Sequence, residues 1–220
     1  MGDDAARGMG SGAPAPAGRG KVAPGTGPYL RLAEVGYLGV AAVALVNLAV
    51  LAVTSSEYVD SLASTLVGAV LSLVLLVAWI QLGRKQGISW FIAAGAFGGL
   101  SAVISLAVRS EPTPNTFGFA IAFAWAVSVV SLIYFATQLL AFNSAANTFQ
   151  VRPFKYAAYL LAGGFVASLL VGSIGAALTA TQQTGQGVVL DVVYGLGGVF
   201  SVAMALAAWL GFHRLRGLAS

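Results

Sequence analysis

The chain has 220 residues, 58% of them hydrophobic and 8% charged, with a net charge of +4 and a mean hydropathy of +0.88. Soluble domains are about a quarter charged, so this chain carries roughly a third of the charge needed to coat a globule. The absence of cysteine excludes disulfides, thiolate catalysis and thiolate metal ligation, and a single histidine excludes bis-His haem and His-rich metal clusters.

Residues 1–28 are rich in Gly, Ala and Pro with scattered charges. They hold no apolar run able to serve as a signal-peptide core. The opening Met1-Gly2-Asp3-Asp4-Ala5-Ala6 lacks the Ser or Thr of a myristoylation signal. Too little surface can be buried there to offset ordering entropy, so a disordered tail is expected. Residues 29–220 then form one transmembrane domain with apolar runs at 35–54, 62–82, 88–108, 117–142, 157–180 and 188–212. A helix needs about 20 apolar residues to cross a hydrocarbon core of ~30 Å, and each run is long enough by itself. The runs do not alternate as strands would, so an all-α integral membrane bundle of six helices is the expected fold.

Charge gives the threading. Arg19, Lys21, Arg31, Arg84, Lys85, Arg152, Lys155, Arg214 and Arg216 fall on one side of the expected spans, and Arg109 alone on the other. By the positive-inside rule both termini are cytoplasmic and the protein is a multi-pass protein of the cell membrane. The basic residues form no continuous stripe, which argues against nucleic acid as a partner and leaves the lipid bilayer itself.

Small residues recur every fourth position. The fifth span carries Gly164, Ser168, Gly172 and Ala176, the third Gly95 and Gly99, and the sixth Gly197, Ser201 and Ala205. Helices in lipid gain little from hydrophobic burial, so such stripes are read as helix-packing faces, with the fifth helix central and most tightly packed. The glycine sets 95, 98, 99 and 195, 197, 198 also sit at matching depths of the third and sixth spans, as a transporter site built from two halves would require. Asn47 is the deepest amide, and Asp191 the only carboxylate inside an expected span; both are candidate polar intramembrane or transport residues. Asp191 lies one turn inside its helix, where the positive end of the helix dipole favours its charge. Gln81, Gln138 and His213 read as boundary residues, His213 without partners for catalysis or metal binding. Trp79, Trp90, Trp209 and Tyr156 read as an aromatic belt.

No catalytic constellation emerges. A membrane aspartyl protease needs a second intramembrane carboxylate, a Ser–His pair needs a histidine within the bundle, and no phosphate loop or intramembrane Lys is present. Enzyme activity and cofactors are not expected. Tyr134-Phe135, Leu139-Leu140-Ala141, Phe154-Lys155-Tyr156-Ala157 and the closing Ala208-Trp209-Leu210-Gly211-Phe212 give the second half a layout that resembles a group of archaeal multi-pass membrane proteins of uncharacterised function. The resemblance implies a membrane fold and no activity. The expected role is that of an accessory or scaffold subunit acting through helix association with other membrane subunits or with itself. A small-solute transporter or channel, with its site near the glycine clusters, is the alternative.

Overall fold

A computed structural model of the chain describes residues 20–53, 62–107, 117–180 and 186–219. Every regular element among them is a helix: α1 Gly27–Val53, α2 Leu62–Gln86, α3 Ser89–Ala107, α4 Phe117–Phe149, α5 Arg152–Ala180 and α6 Gln186–Ala219. Five hold stretches long and apolar enough to cross a membrane, and the apolar stretch of α3, Ser89–Ile104, is shorter.

Helix boundaries follow local chemistry. Pro28 and Pro153 are the second residues of α1 and α5, where a missing N–H costs no intrahelical bond. The Thr26 carbonyl accepts from the N–H groups of Tyr29 and Leu30 and starts α1. Gly87, at φ 68°, ends α2 in the left-handed conformation, and Ile88 N–H then donates to Gly83 O in a Schellman closure. Gln150 does the same for α4 at φ 54° without being glycine. The α2–α3 and α4–α5 connections are therefore only two residues each, at 87–88 and 150–151.

Such short turns make chain neighbours antiparallel. Each helix packs on the next in chain order, and α6 returns onto α1, so the six form a closed ring. The contact between α4 and α5 is the slimmest in that ring. Both described ends of the chain and both short turns lie at one end, called the basic end because Lys21, Arg31, Arg84, Lys85, Arg152, Lys155, Arg214 and Arg216 cluster there. α5 takes a place in the ring like the others, so the central position expected for it is not observed. Its small-residue stripe did not distinguish a helix touching many others from one touching two.

Several helices run past the expected spans at the basic end. α4 and α6, with 33 and 34 residues, are about 50 Å long against a hydrocarbon layer of ~30 Å. Residues 143–149, expected in a polar break, continue α4 because Phe142, Ala145, Ala146 and Phe149 follow the 3.6-residue period and are buried. α1 likewise starts at Gly27 with Leu30, Ala33 and Tyr37 inward. Of the expected tail, residues 20–26 lie along the bundle, where Gly20 N–H donates to Thr148 O (2.8 Å). Residues 1–19 are outside the described residues.

The α2–α3 hairpin is closely packed through glycine. A Cβ on Gly95 would meet Ile80 Cγ1 at 2.8 Å and Leu76 O at 2.9 Å, and one on Gly99 would run into Leu76 Cδ1. Gly95→Val is expected to destabilise the protein by about 1–3 kcal/mol, because Leu76 O belongs to backbone that cannot rotate away. Thermal unfolding in mild detergent checks this, with Gly197→Ala, which meets nothing within 4 Å, as the neutral control.

Candidate functional site

The ring closes around an axis, and each helix sends one aromatic side chain into it. Tyr37 of α1, Trp79 of α2, Phe91 of α3, Phe142 of α4, Phe154 of α5 and Phe212 of α6 are all buried in one continuous cluster. Trp79 is its hub, with ring centroids 4.7 Å from Phe91, 5.8 Å from Phe142 and 5.2 Å from Phe212, all edge-on. Tyr37 stacks on Phe212 at 5.6 Å, and Phe154 meets Phe212 edge-on at 4.9 Å. Edge-to-face pairs place the positive ring edge against a negative face and are worth about 0.5–1.5 kcal/mol each beyond area. Glycines make room for these rings. A Cβ on Gly36 would overlap Leu75 of α2, and one on Gly211 would overlap the Phe154 ring.

A hydrogen-bond network is built into the cluster. Trp79 Nε1–H and Gln138 Nε2–H both donate to the Tyr37 hydroxyl oxygen, at 3.0 and 3.2 Å. Gln138 also hydrogen-bonds Tyr134, whose ring lies against Gly98 of α3. Gln138 and Trp79 are thus axial residues, and Trp79 faces the bundle interior where a belt side chain would face lipid. Trp79 is only 3% exposed, since a belt position would have left its N–H without the Tyr37 oxygen. The period Ala141, Gln138, Tyr134 on α4 carried the signal for Gln138.

Beyond the cluster, away from the basic end, α4, α5 and α6 line a half-open cavity of about 210 Å³. Phe135 lies two turns along α4 from Phe142, Leu161 and Phe165 lie beyond Phe154 on α5, and Ser201 and Met204 lie beyond Phe212 on α6. Phe135 and Phe165 stack at 4.3 Å across its α4–α5 wall. Gly164, Ser168, Gly197 and Ser201, expected as helix-packing residues, line this cavity. The two stripes of small side chains face one another, and facing small groups leave volume unfilled. Phe200, whose Cβ is 2.9 Å from the Cβ position of Gly164, sets the α5–α6 spacing. On this side of the cluster the packing glycine of α6 is Gly198, against Leu48 of α1. The side chains at 172 and 176 lie outside the described residues.

The polar candidates do not converge on the cavity. Asn47 and Asp191 are each partly exposed and each engaged by a neighbour. The register of Leu51 on Gly195 and Leu48 on Gly198 sets them about 12 Å apart along the α1–α6 contact. The glycine sets of α3 and α6 belong to helices on opposite sides of the ring. Gly95 and Gly99 face α2, Gly98 faces α4, and Gly198 faces α1, leaving Gly197 alone at the cavity.

An ionic contact spans the α1–α6 junction. Glu34 on α1 is 8% exposed, and its Oε2 lies 2.9 Å from Arg216 Nη1 and 3.9 Å from His213 Nδ1 on α6. His213 therefore has a carboxylate neighbour, contrary to expectation, and also stacks on Trp209. Glu34 escapes a hydropathy reading because it precedes the apolar run at 35–54, yet it belongs to the face Leu30, Ala33, Tyr37, Ala41. Its Oε1 is buried without a hydrogen-bond partner. Among the described residues no group of three metal-ligating side chains occurs.

No protein-family model, curated protein or solved structure matches the chain. What the residues themselves define is an all-helical ring with at least five helices apolar enough to span a membrane.

Two outcomes follow from the axis. Tyr37→Phe removes the acceptor of two buried donors and is expected to cost about 1–3 kcal/mol in detergent unfolding, with Phe212→Tyr failing to restore it. Glu34→Gln and Arg216→Gln are expected to couple by on the order of 1 kcal/mol in a double-mutant cycle, since Arg216 is partly exposed and screened.

Proposed function

We propose that the chain is a non-enzymatic multi-pass protein of the cell membrane, with α3 as its sixth span and both termini cytoplasmic, acting as an accessory or scaffold subunit by helix association. The observation that carries this reading is the filled axis. A solute path through the ring would have to displace six interlocked aromatic side chains, while the outward faces of all six helices are apolar and exposed. The described connections at the basic end, 87–88 and 150–151, are two residues each, and the exposed apolar surface is the lateral one. At 19 residues, α3 is about 28 Å long, close to the ~30 Å of a hydrocarbon core. The small-solute transporter is the second reading, favoured by the cavity beside Gly197.

Two experiments separate these. In proteoliposomes, flux of small ions and neutral solutes is expected to match that of empty vesicles, and a stoichiometric membrane subunit, a second copy included, is expected to stay bound through native purification. Saturable flux abolished by Gly197→Leu, which fills the cavity, contradicts the subunit reading. The chain has no cysteine, so threading is directly testable. A membrane-impermeant maleimide is expected to label Lys85→Cys and Ala219→Cys only in inverted vesicles. Labelling in intact cells reverses the orientation.

A further inference from the structure

The basic end is not uniformly solvated charge. Arg152 and Lys155, at the start of α5, line a cleft of about 470 Å³ with Asn147 and Gln150 of the α4–α5 turn. Arg152 also lines an adjoining cleft of about 520 Å³ with Arg214 of α6 and the apolar Phe149, Val151 and Leu218. Of the other cations of this end, Arg216 pairs with Glu34 and Lys85 lies over the Tyr29 ring at 5.9 Å. Arg152, Lys155 and Arg214 have no ion-pair partner among the described residues, and Glu34 is the only acidic residue described at this end. We infer that the paired clefts around the α4–α5 turn bind the headgroup of an anionic phospholipid.

Three features select this occupant. Cations from two helices converge on clefts that also offer the side-chain amides of Asn147 and Gln150, donors suited to phosphate oxygens. The positive end of α5 adds to their field, with no acid in its first turn to offset it. An exposed apolar stripe then continues along α5 from the cations, through Tyr156, Tyr159, Val166 and Leu170. That order, charge and then an interfacial aromatic followed by aliphatic surface, matches headgroup followed by acyl chain. A free phosphate would use the clefts and leave the stripe bare.

The site rests on the membrane reading above, whose own failure would appear in the maleimide pattern and not in lipid selectivity. The test is native mass spectrometry of the full chain released from micelles titrated with phosphatidylglycerol or phosphatidylcholine. Phosphatidylglycerol adducts are expected to exceed phosphatidylcholine adducts and to fall about fivefold for each of Arg152→Gln, Lys155→Gln and Arg214→Gln. Arg152→Lys should retain most of the binding, which separates lost charge from lost fold, and Arg84→Gln, outside the clefts, should leave it unchanged. Equal adducts with both lipids overturn the proposal. So does a loss with Arg84→Gln as large as with Arg152→Gln, which would mean diffuse surface charge. Displacement of phosphatidylglycerol by millimolar inorganic phosphate assigns the clefts to the free anion and overturns it as well.

Discussion

The ring depends on what fills its axis. Six helices packed chiefly on their neighbours around a ring leave a central column, and an unfilled column of this size would forfeit the dispersion contacts of every inward side chain. Here one aromatic from each helix fills it, and Trp79 binds the set through rings of α3, α4 and α6 and through its N–H to Tyr37 of α1. No helix can leave without opening the contacts of the others. The closure of α6 on α1 follows from that shared column, and the Glu34–Arg216 pair spans the same junction.

The core sits at the basic end for a physical reason. Toward the basic ends of the helices, polar residues such as Asn143, Asn147, Lys155 and Arg214 share turns with Phe142, Phe149, Phe154 and Phe212. In such amphipathic turns burial of the apolar face is driven by water. Along the apolar spans every face resembles lipid, so that drive vanishes and close approach must come from small residues. Gly95 and Gly99 achieve it against α2, whereas Gly164, Ser168, Gly197 and Ser201 meet face to face and leave a hollow. The same small-residue pattern yields a tight seam when opposed by Leu and Ile, and a cavity when opposed by itself.

That asymmetry also explains what was legible beforehand. Six apolar runs and one-sided basic residues could be read directly, because length and charge are local properties. Polar composition misled at 143–149, where the 3.6-residue period of Phe142, Ala145, Ala146 and Phe149 outweighs two Asn, a Ser and a Thr. Glu34, Trp79 and Gln138 were missed or misplaced because their partners lie on other helices, 42 residues away for Trp79–Tyr37 and 101 for Gln138–Tyr37. Helical spacing puts each on an inward face, yet nothing in one helix reveals what it will meet. The cationic clefts combine Arg152 and Lys155, visible as charges from the start, with an Arg214 that the packing of α6 on α5 brings near.

Ring closure is the claim most open to direct trial. Leu48 and Gly198 face each other across the α1–α6 contact, close enough that a Cβ on Gly198 would lie 2.8 Å from Leu48 Cγ. In a chain without native cysteine, Leu48→Cys with Gly198→Cys should form a disulfide in membranes under mild oxidation. Gly95→Cys with Gly198→Cys, on opposite sides of the ring, should remain reduced. A bond in the second pair and none in the first would mean that α6 packs elsewhere and the axis is not enclosed.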